Sequence, residues 1–213
     1  GYTVFANAGL PAPGTVVQRL VDPDNGIPRL NQQRIMELLL GGTVRSQFQP
    51  QGVNNLEGFL FPDTYRLEED EGAPAIVNQM VQRFDQIATE AGIGDATGRI
   101  NQATGGAVQI TPYQAVIVAS LIEREAAVPE ERAKMARVIY NRLAQGIPLG
   151  IDASLNYALG HPATTESDLA TDSPYNLREV AGLPPTPIGN PGLASIRAAA
   201  NPSRRDYLFF VVK

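Results

Sequence analysis

Thr111-Pro112-Tyr113-Gln114-Ala115-Val116-Ile117-Val118-Ala119-Ser120-Leu121-Ile122-Glu123-Arg124-Glu125 is the stretch on which the fold turns. Its Thr-Pro pair reads as an N-cap followed by the first helical position. From there to Ile122 the segment carries no charge, and apolar residues fall on all sides of a helix of 3.6 residues per turn. A helix that is apolar all round is a buried one, so this segment is expected at the centre of its domain, running to about Ala126. Its end then changes character, with two glutamates flanking an arginine. Carboxylates at i and i+2 stand about 200° apart around the axis, so Glu123 and Glu125 face different neighbours. Glu125 continues the line of Val118, Leu121 and Ile122, and Glu123 that of Val116, Ala119 and Ser120. A carboxyl placed there meets a low-dielectric surrounding and the negative end of the helix dipole. Both favour the protonated form that a general acid needs. The competing reading is an ion pair that ties this helix to its neighbour.

The flanks extend the pattern. Downstream, Pro129 opens a second helix with Glu130 and Glu131 in its first turn, where the dipole favours anions, and Gly146 closes it. Its inner stripe, Met135, Val138 and Ile139, is continued by Arg142. An arginine on an apolar face either takes a carboxylate, here Glu123 or Asp152, or packs its stem and reaches out to water. Asp152–Leu159 reads as a short helix, residues 173–191 as a loop holding five prolines, residues 191–200 as a last helix and residues 207–212 as a strand.

Upstream, residues 74–91 form an amphipathic helix with Ile76, Met80, Phe84 and Ile87 on one stripe, ended by Gly92. Residues 94–109 read as a Gly-rich surface loop, and the aromatic-dense stretch 56–67 as short strands around a Pro turn. The acidic run 68–71 reads as a solvated turn, and a helix is expected near residues 31–40. The fold class expected is α+β around a buried central helix, with residues 1–53 as an N-terminal segment or partial small lobe and 54–213 as one domain.

Composition narrows the chemistry. Lys+Arg 17 against Asp+Glu 22 leaves a net charge of −5, and Gly 20 with Pro 17 exceed ordinary usage in the 213 residues. A mean hydropathy of −0.13 is that of a folded chain, not a disordered one. Cys 0 removes thiol nucleophiles, disulfides, zinc ribbons and iron–sulfur clusters. The one histidine, His161, sits between Gly160 and Pro162 in a typical exposed turn, which leaves neither a His-rich metal site nor a Ser/His/Asp triad. Phosphate-binding Gly loops are missing, and Asp152, Asp168 and Asp172 match no calcium loop spacing. No basic cluster invites nucleic acid or an anionic membrane surface, and no run of about 18 apolar residues spans a bilayer. The chain starts at Gly1 and stops at Lys213 within an apolar run, so it reads as a piece of a longer protein. Phe59, Phe61, Tyr65, Tyr157 and Tyr175 are candidates for sugar platforms or for core.

Several ordered blocks carry a resemblance. Leu56-Glu57-Gly58-Phe59-Leu60-Phe61-Pro62-Asp63-Thr64-Tyr65 is similar to the LEGYLFPDTY signature of the MltG, or YceG-like, endolytic murein transglycosylases. Ala119 to Glu125, then Glu131-Arg132 and Asn141-Arg142-Leu143, resemble that family's ASIVEKET…ER…NRL block. Ser173-Pro174-Tyr175-Asn176, Gly182-Leu183-Pro184-Pro185, Pro187-Ile188, Asn190-Pro191-Gly192 and Tyr207 to Val211 follow its C-terminal motifs in order. The resemblance runs over about residues 54–213.

That resemblance implies a catalytic domain with a lysozyme-like active-site helix. The activity it implies is cleavage of peptidoglycan glycan strands between N-acetylmuramic acid and N-acetylglucosamine, leaving 1,6-anhydro ends and terminating strands. The catalytic acid of the family falls on Glu125. Asn141, Asp152, Tyr175 and Asn176 are motif-borne candidates for substrate contacts, with Glu123, Arg142 and Glu57 in supporting roles. No metal and no cofactor is implied. The partners implied are glycan strands and peptidoglycan synthases, not nucleic acid. A single-pass anchor in the full-length protein would place the domain on the outer face of the bacterial cytoplasmic membrane. The sequence departs from the family at Ala126, where Thr or Ser is usual, and at Leu149-Gly150-Ile151-Asp152-Ala153, which keeps only Leu and Asp of L-Q-T-D-P. Two rival readings are a non-catalytic glycan-binding scaffold and a muramidase pairing Glu125 with Glu57, Asp63 or Asp152.

Overall fold

Helices dominate the architecture. The computed structural model describes residues 2–5, 37–67, 72–126, 128–204 and 207–209. In chain order they form strands β1 (Tyr2–Phe5) and β2 (Thr64–Leu67), then helices α1 (Ala73–Glu90), α2 (Ala96–Ala103) and α3 (Pro112–Glu125). A 3-10 turn (Pro129–Glu131) leads into α4 (Arg132–Gln145), followed by α5 (Asp152–Leu159), α6 (Glu166–Leu169) and α7 (Leu193–Ala200). Residues 37–40 are helical; the rest of the helix expected near 31–40, and the acidic run 68–71, lie outside the described residues.

α3 is the central helix. Thr111 accepts from the Gln114 N–H while the Gln114 side chain accepts from the Thr111 N–H, a reciprocal capping box with Pro112 in the first turn. Every residue from Ala115 to Ile122 is buried. α7 and α4 pack against it, α4 also packs on α7, and α5 lies against it separately. Tyr140, fully buried on α4, donates its hydroxyl to the Ala199 carbonyl at 2.8 Å, locking α4 to α7. α1 adds Met80 and Phe84, and Phe59 meets Phe84 edge to face at 5.2 Å.

The strand content is smaller than expected. Within 56–67 only Thr64–Leu67 is a strand, paired antiparallel to β1 with Tyr2 opposite Leu67 and Phe5 opposite Thr64. Residues 56–63 form turns instead, because Gly58 takes a positive φ of 90° and its backbone lies against Pro187. Residues 207–209 are not in a strand; the remainder of that expected strand lies outside the described residues. The expected loop over 94–109 contains α2, whose Ala96 and Ile100, one turn apart, are both buried. The segment's Gly and polar residues obscured that short apolar stripe.

Candidate active site

The two glutamates that end α3 have different fates. Gly192, the residue preceding α7, donates its N–H to Glu123 Oε2 at 3.0 Å, and Arg132 stands 4.0 Å from Oε1. Glu123 therefore ties α3 to α7 and α4. Glu125 points to the other side, where the Ala153 N–H in the first turn of α5 donates to its Oε1 at 3.4 Å. Burial pushes the Glu125 carboxyl above the ordinary glutamate range, and the charge of Asp152 adds to the shift. The Ala153 N–H and the Arg124 guanidinium pull the other way. The direction of this shift is the one a general acid needs, although the α5 N-terminus adds an opposing dipole contribution.

A second carboxyl shares this surrounding. Glu57 sits in the turn after Leu56, where burial pushes its pKa up to about 7 against the pull of Arg124. Asn190 builds the turn: its Oδ1 accepts from the Gly58 N–H at 2.9 Å and the Leu60 N–H at 3.0 Å, and its Nδ2 donates to Glu57 Oε1 at 3.4 Å. Gly189 packs on the stem of Arg124, so Arg124 lies at the junction of the two loops and acts electrostatically on both carboxyls.

Aromatic rings continue the surface. Tyr157, one turn beyond Ala153 on α5, faces Tyr175 with ring centroids 5.6 Å apart. The Tyr175 hydroxyl bonds Thr186 Oγ1 at 2.8 Å. Burial raises the Tyr157 hydroxyl well above the usual range, with Glu57 and Tyr175 adding to it. Tyr113, near the start of α3, stacks on Phe59 at 6.1 Å and is raised by burial and by Tyr175. Of the five aromatics noted in the sequence, Phe59, Phe61 and Tyr65 are core, while Tyr157 and Tyr175 are partly open.

The other named residues are spread between site and scaffold. Asp152 makes a two-pronged pair with Arg178 at 2.6 and 2.7 Å at the rim of α5. Asn176 is buried and donates to the Leu169 and Thr171 carbonyls, stapling its loop. Asn141 donates to the Tyr207 carbonyl at 2.8 Å and is also buried. Arg142 takes neither expected carboxylate. It donates to the Leu208 and Leu149 carbonyls and lies 5.1 Å over the Phe209 ring, because main-chain oxygens of two loops reach it first. His161 is exposed in its turn. Asp63 is engaged with Arg83 at 2.9 Å. Among the described residues, no group of three or more His, Asp and Glu side chains is placed to hold a metal ion. No described helix is long and apolar enough to cross a membrane.

Sequence reasoning passed over Asn190, Thr186 and Arg124 as site builders. Asn190 had a usable signal in its Asn-Pro-Gly setting, which marks a turn whose side chain bonds backbone.

Comparison with known families decides the affiliation. The YceG-like family model matches residues 15–213. The chain belongs to the YceG-like family. This YceG-like chain is 35% identical over 161 residues to a Bacillus subtilis (strain 168) protein named endolytic murein transglycosylase, covering 74% of the chain and 42% of that protein. A Streptococcus pneumoniae (strain R6) protein of the same name is 32% identical over 163 residues, covering 73% of the chain and 28% of that protein. The YceG-like chain thus spans less than half the length of these relatives. Among solved structures, the 2.6 Å crystal structure of a yceG-like protein, lmo1499, from Listeria monocytogenes superposes with a TM-score of 0.78 at 30% identity, covering 99% of this chain and 70% of that one. The family match begins well ahead of residue 54, where the motif resemblance starts.

Proposed function

We propose that this YceG-like domain is an endolytic lytic transglycosylase of peptidoglycan, with Glu125 as its acid and then its base. The observation that supports the reading is the half-buried Glu125 carboxyl at the end of a helix uncharged from Pro112 to Ile122, held by one backbone N–H and raised in pKa by burial. Glu125 gives its proton to the glycosidic oxygen as the bond to the N-acetylmuramic acid C1 breaks. The carboxylate left behind takes the proton of that sugar's own C6 hydroxyl, whose oxygen closes on C1 to form the 1,6-anhydro ring. No water enters, so one carboxyl completes the cycle and returns to its starting state.

The muramidase alternative needs a second, ionised carboxyl. Asp63 is engaged with Arg83 and Asp152 with Arg178, and burial works against ionisation of Glu57. These placements favour the single-carboxyl route. Tyr157, Tyr175 and Glu57 are the groups proposed to meet the sugar. Asn141 and Asn176 act on it through the loops they hold, and Glu123 and Arg142 fix α3 and α4. The names of the relatives fit this substrate. With it we propose an extracytoplasmic, membrane-anchored full-length protein acting beside peptidoglycan synthases.

Digestion of purified peptidoglycan, with products weighed by mass spectrometry, tests the reaction. The expected products are 1,6-anhydro muropeptides, lighter by one water than the hydrolytic ones, and Glu125→Gln abolishes them. Reducing ends would instead establish the muramidase, and binding without any product the scaffold.

A further inference from the structure

A cavity of about 630 Å³ opens at the far end of α3 from Glu125, between residues 107–111 and the loop 182–185. Gln109, Tyr113, Leu183, Pro184 and Pro185 are among its walls, and none of its lining residues carries a charge. Tyr113 and Glu125 are twelve residues apart on one helix, about 18 Å at 1.5 Å per residue. The loop that walls the cavity leads back toward Glu125. Residues 182–185 run into Thr186, whose Oγ1 bonds the Tyr175 hydroxyl at 2.8 Å, and Tyr175 faces Tyr157 on α5, the helix whose Ala153 N–H meets Glu125.

The geometry points to this cavity as a remote sugar subsite that binds an N-acetylhexosamine of the same glycan strand, several rings away from the bond being cut. The chemistry of the walls selects that occupant. An aromatic ring, prolines and a leucine offer apolar surface to the C–H faces of a pyranose, and the amide of Gln109 and the hydroxyl of Thr111 offer partners for acetamido and hydroxyl groups. A stem peptide with its carboxylates would call for cationic partners, which this lining lacks. Tyr113 is rigid because Phe59 stacks on it with planes 10° apart, so little order is lost when a sugar settles against it. This inference rests on the proposed glycan substrate and adds a length requirement to it. Strands that reach both ends of α3 bind better than strands that fill only the Glu125 end.

Titration of peptide-free glycan strands into the Glu125→Gln protein reads the subsite without any turnover. Long strands are expected to bind at least about tenfold more tightly than a tetrasaccharide, the scale of one good apolar pocket. Gln109→Trp, at an exposed rim position, fills the mouth and removes that preference, while tetrasaccharide affinity stays within about twofold. Leu183→Ala is a second variant that weakens the same preference. Equal affinity for both lengths, a preference that survives both substitutions, or binding that requires stem peptides overturns the subsite. The reaction itself is read separately on the unsubstituted chain. Missing anhydro products alongside an intact length preference sinks the proposed chemistry and leaves the subsite standing.

Discussion

Two sides of one helix end carry the same side chain to opposite purposes. On the α7 side, Glu123 receives the Gly192 N–H and faces Arg132, so its oxygens are committed to joining three elements. On the α5 side, Glu125 has one long bond from Ala153 and remains half open. The first is a brace, and the second is left available for the proton transfer proposed above. What separates them is which neighbours the 200° turn between i and i+2 delivers.

The largest effect expected from breaking this contrast is on turnover. Glu125→Gln should cost about 10²–10⁴ in the rate of anhydro-product release while leaving the thermal unfolding midpoint unchanged or higher. Glu123→Ala should do the reverse. It strands the Gly192 N–H and leaves Arg132 with Ser195 as its partner, costing about 1–3 kcal/mol of stability in chemical denaturation, and the protein that remains folded should still turn over substrate. A folded Glu123→Ala protein as inactive as Glu125→Gln would erase the distinction.

A middle-sized effect concerns Glu57. Its folded pKa of about 7 lies above the ordinary 4.5, so the protonated form favours the folded state. That contribution is whole below about pH 4.5 and is lost as the pH rises through about 7. Thermal midpoints should therefore fall from pH 5 to pH 8, and Glu57→Gln should flatten the fall. An unchanged slope in that variant would place the titration elsewhere.

The smallest effect belongs to Asp152→Asn. The pair with Arg178 is nearly half exposed on both sides, so its loss should change stability by under about 1 kcal/mol. The variant also removes a charge that raises the Glu125 pKa. The alkaline limb of activity, where the acid loses its proton, should move to lower pH. A limb that stays in place would show that burial alone sets the Glu125 proton.

What could be read in advance follows from how local each signal was. The Thr111-Pro112 start, the charge-free interior, the Gly146 stop and the short helix Asp152–Leu159 are written in neighbouring residues, and all appear as expected. The divergence of Glu123 and Glu125 needed only helix geometry. Arg142 shows the limit: its apolar setting was visible, but its partners are carbonyls of residues 148, 149 and 208, which no spacing rule announces. Asn176 and Asn141 share a motif with the site, yet the motif does not say whether a side chain faces sugar or backbone. The stretch 56–63 was read as strands because its aromatics mimic strand composition, whereas Gly58 against Pro187 imposes a turn.

Asn190 has a consequence for the order in which the domain is completed. One amide side chain holds two backbone N–H groups that lie 130 and 132 residues earlier. A ribosome delivers Gly58, Leu60 and Glu125 long before Asn190 emerges, and contacts so distant in sequence form late. Until then the Gly58 and Leu60 N–H groups lack the side chain that ties them down in the folded domain. The turn that carries Glu57 is thus completed only when the far end of the domain folds back on it, although its own residues are made early.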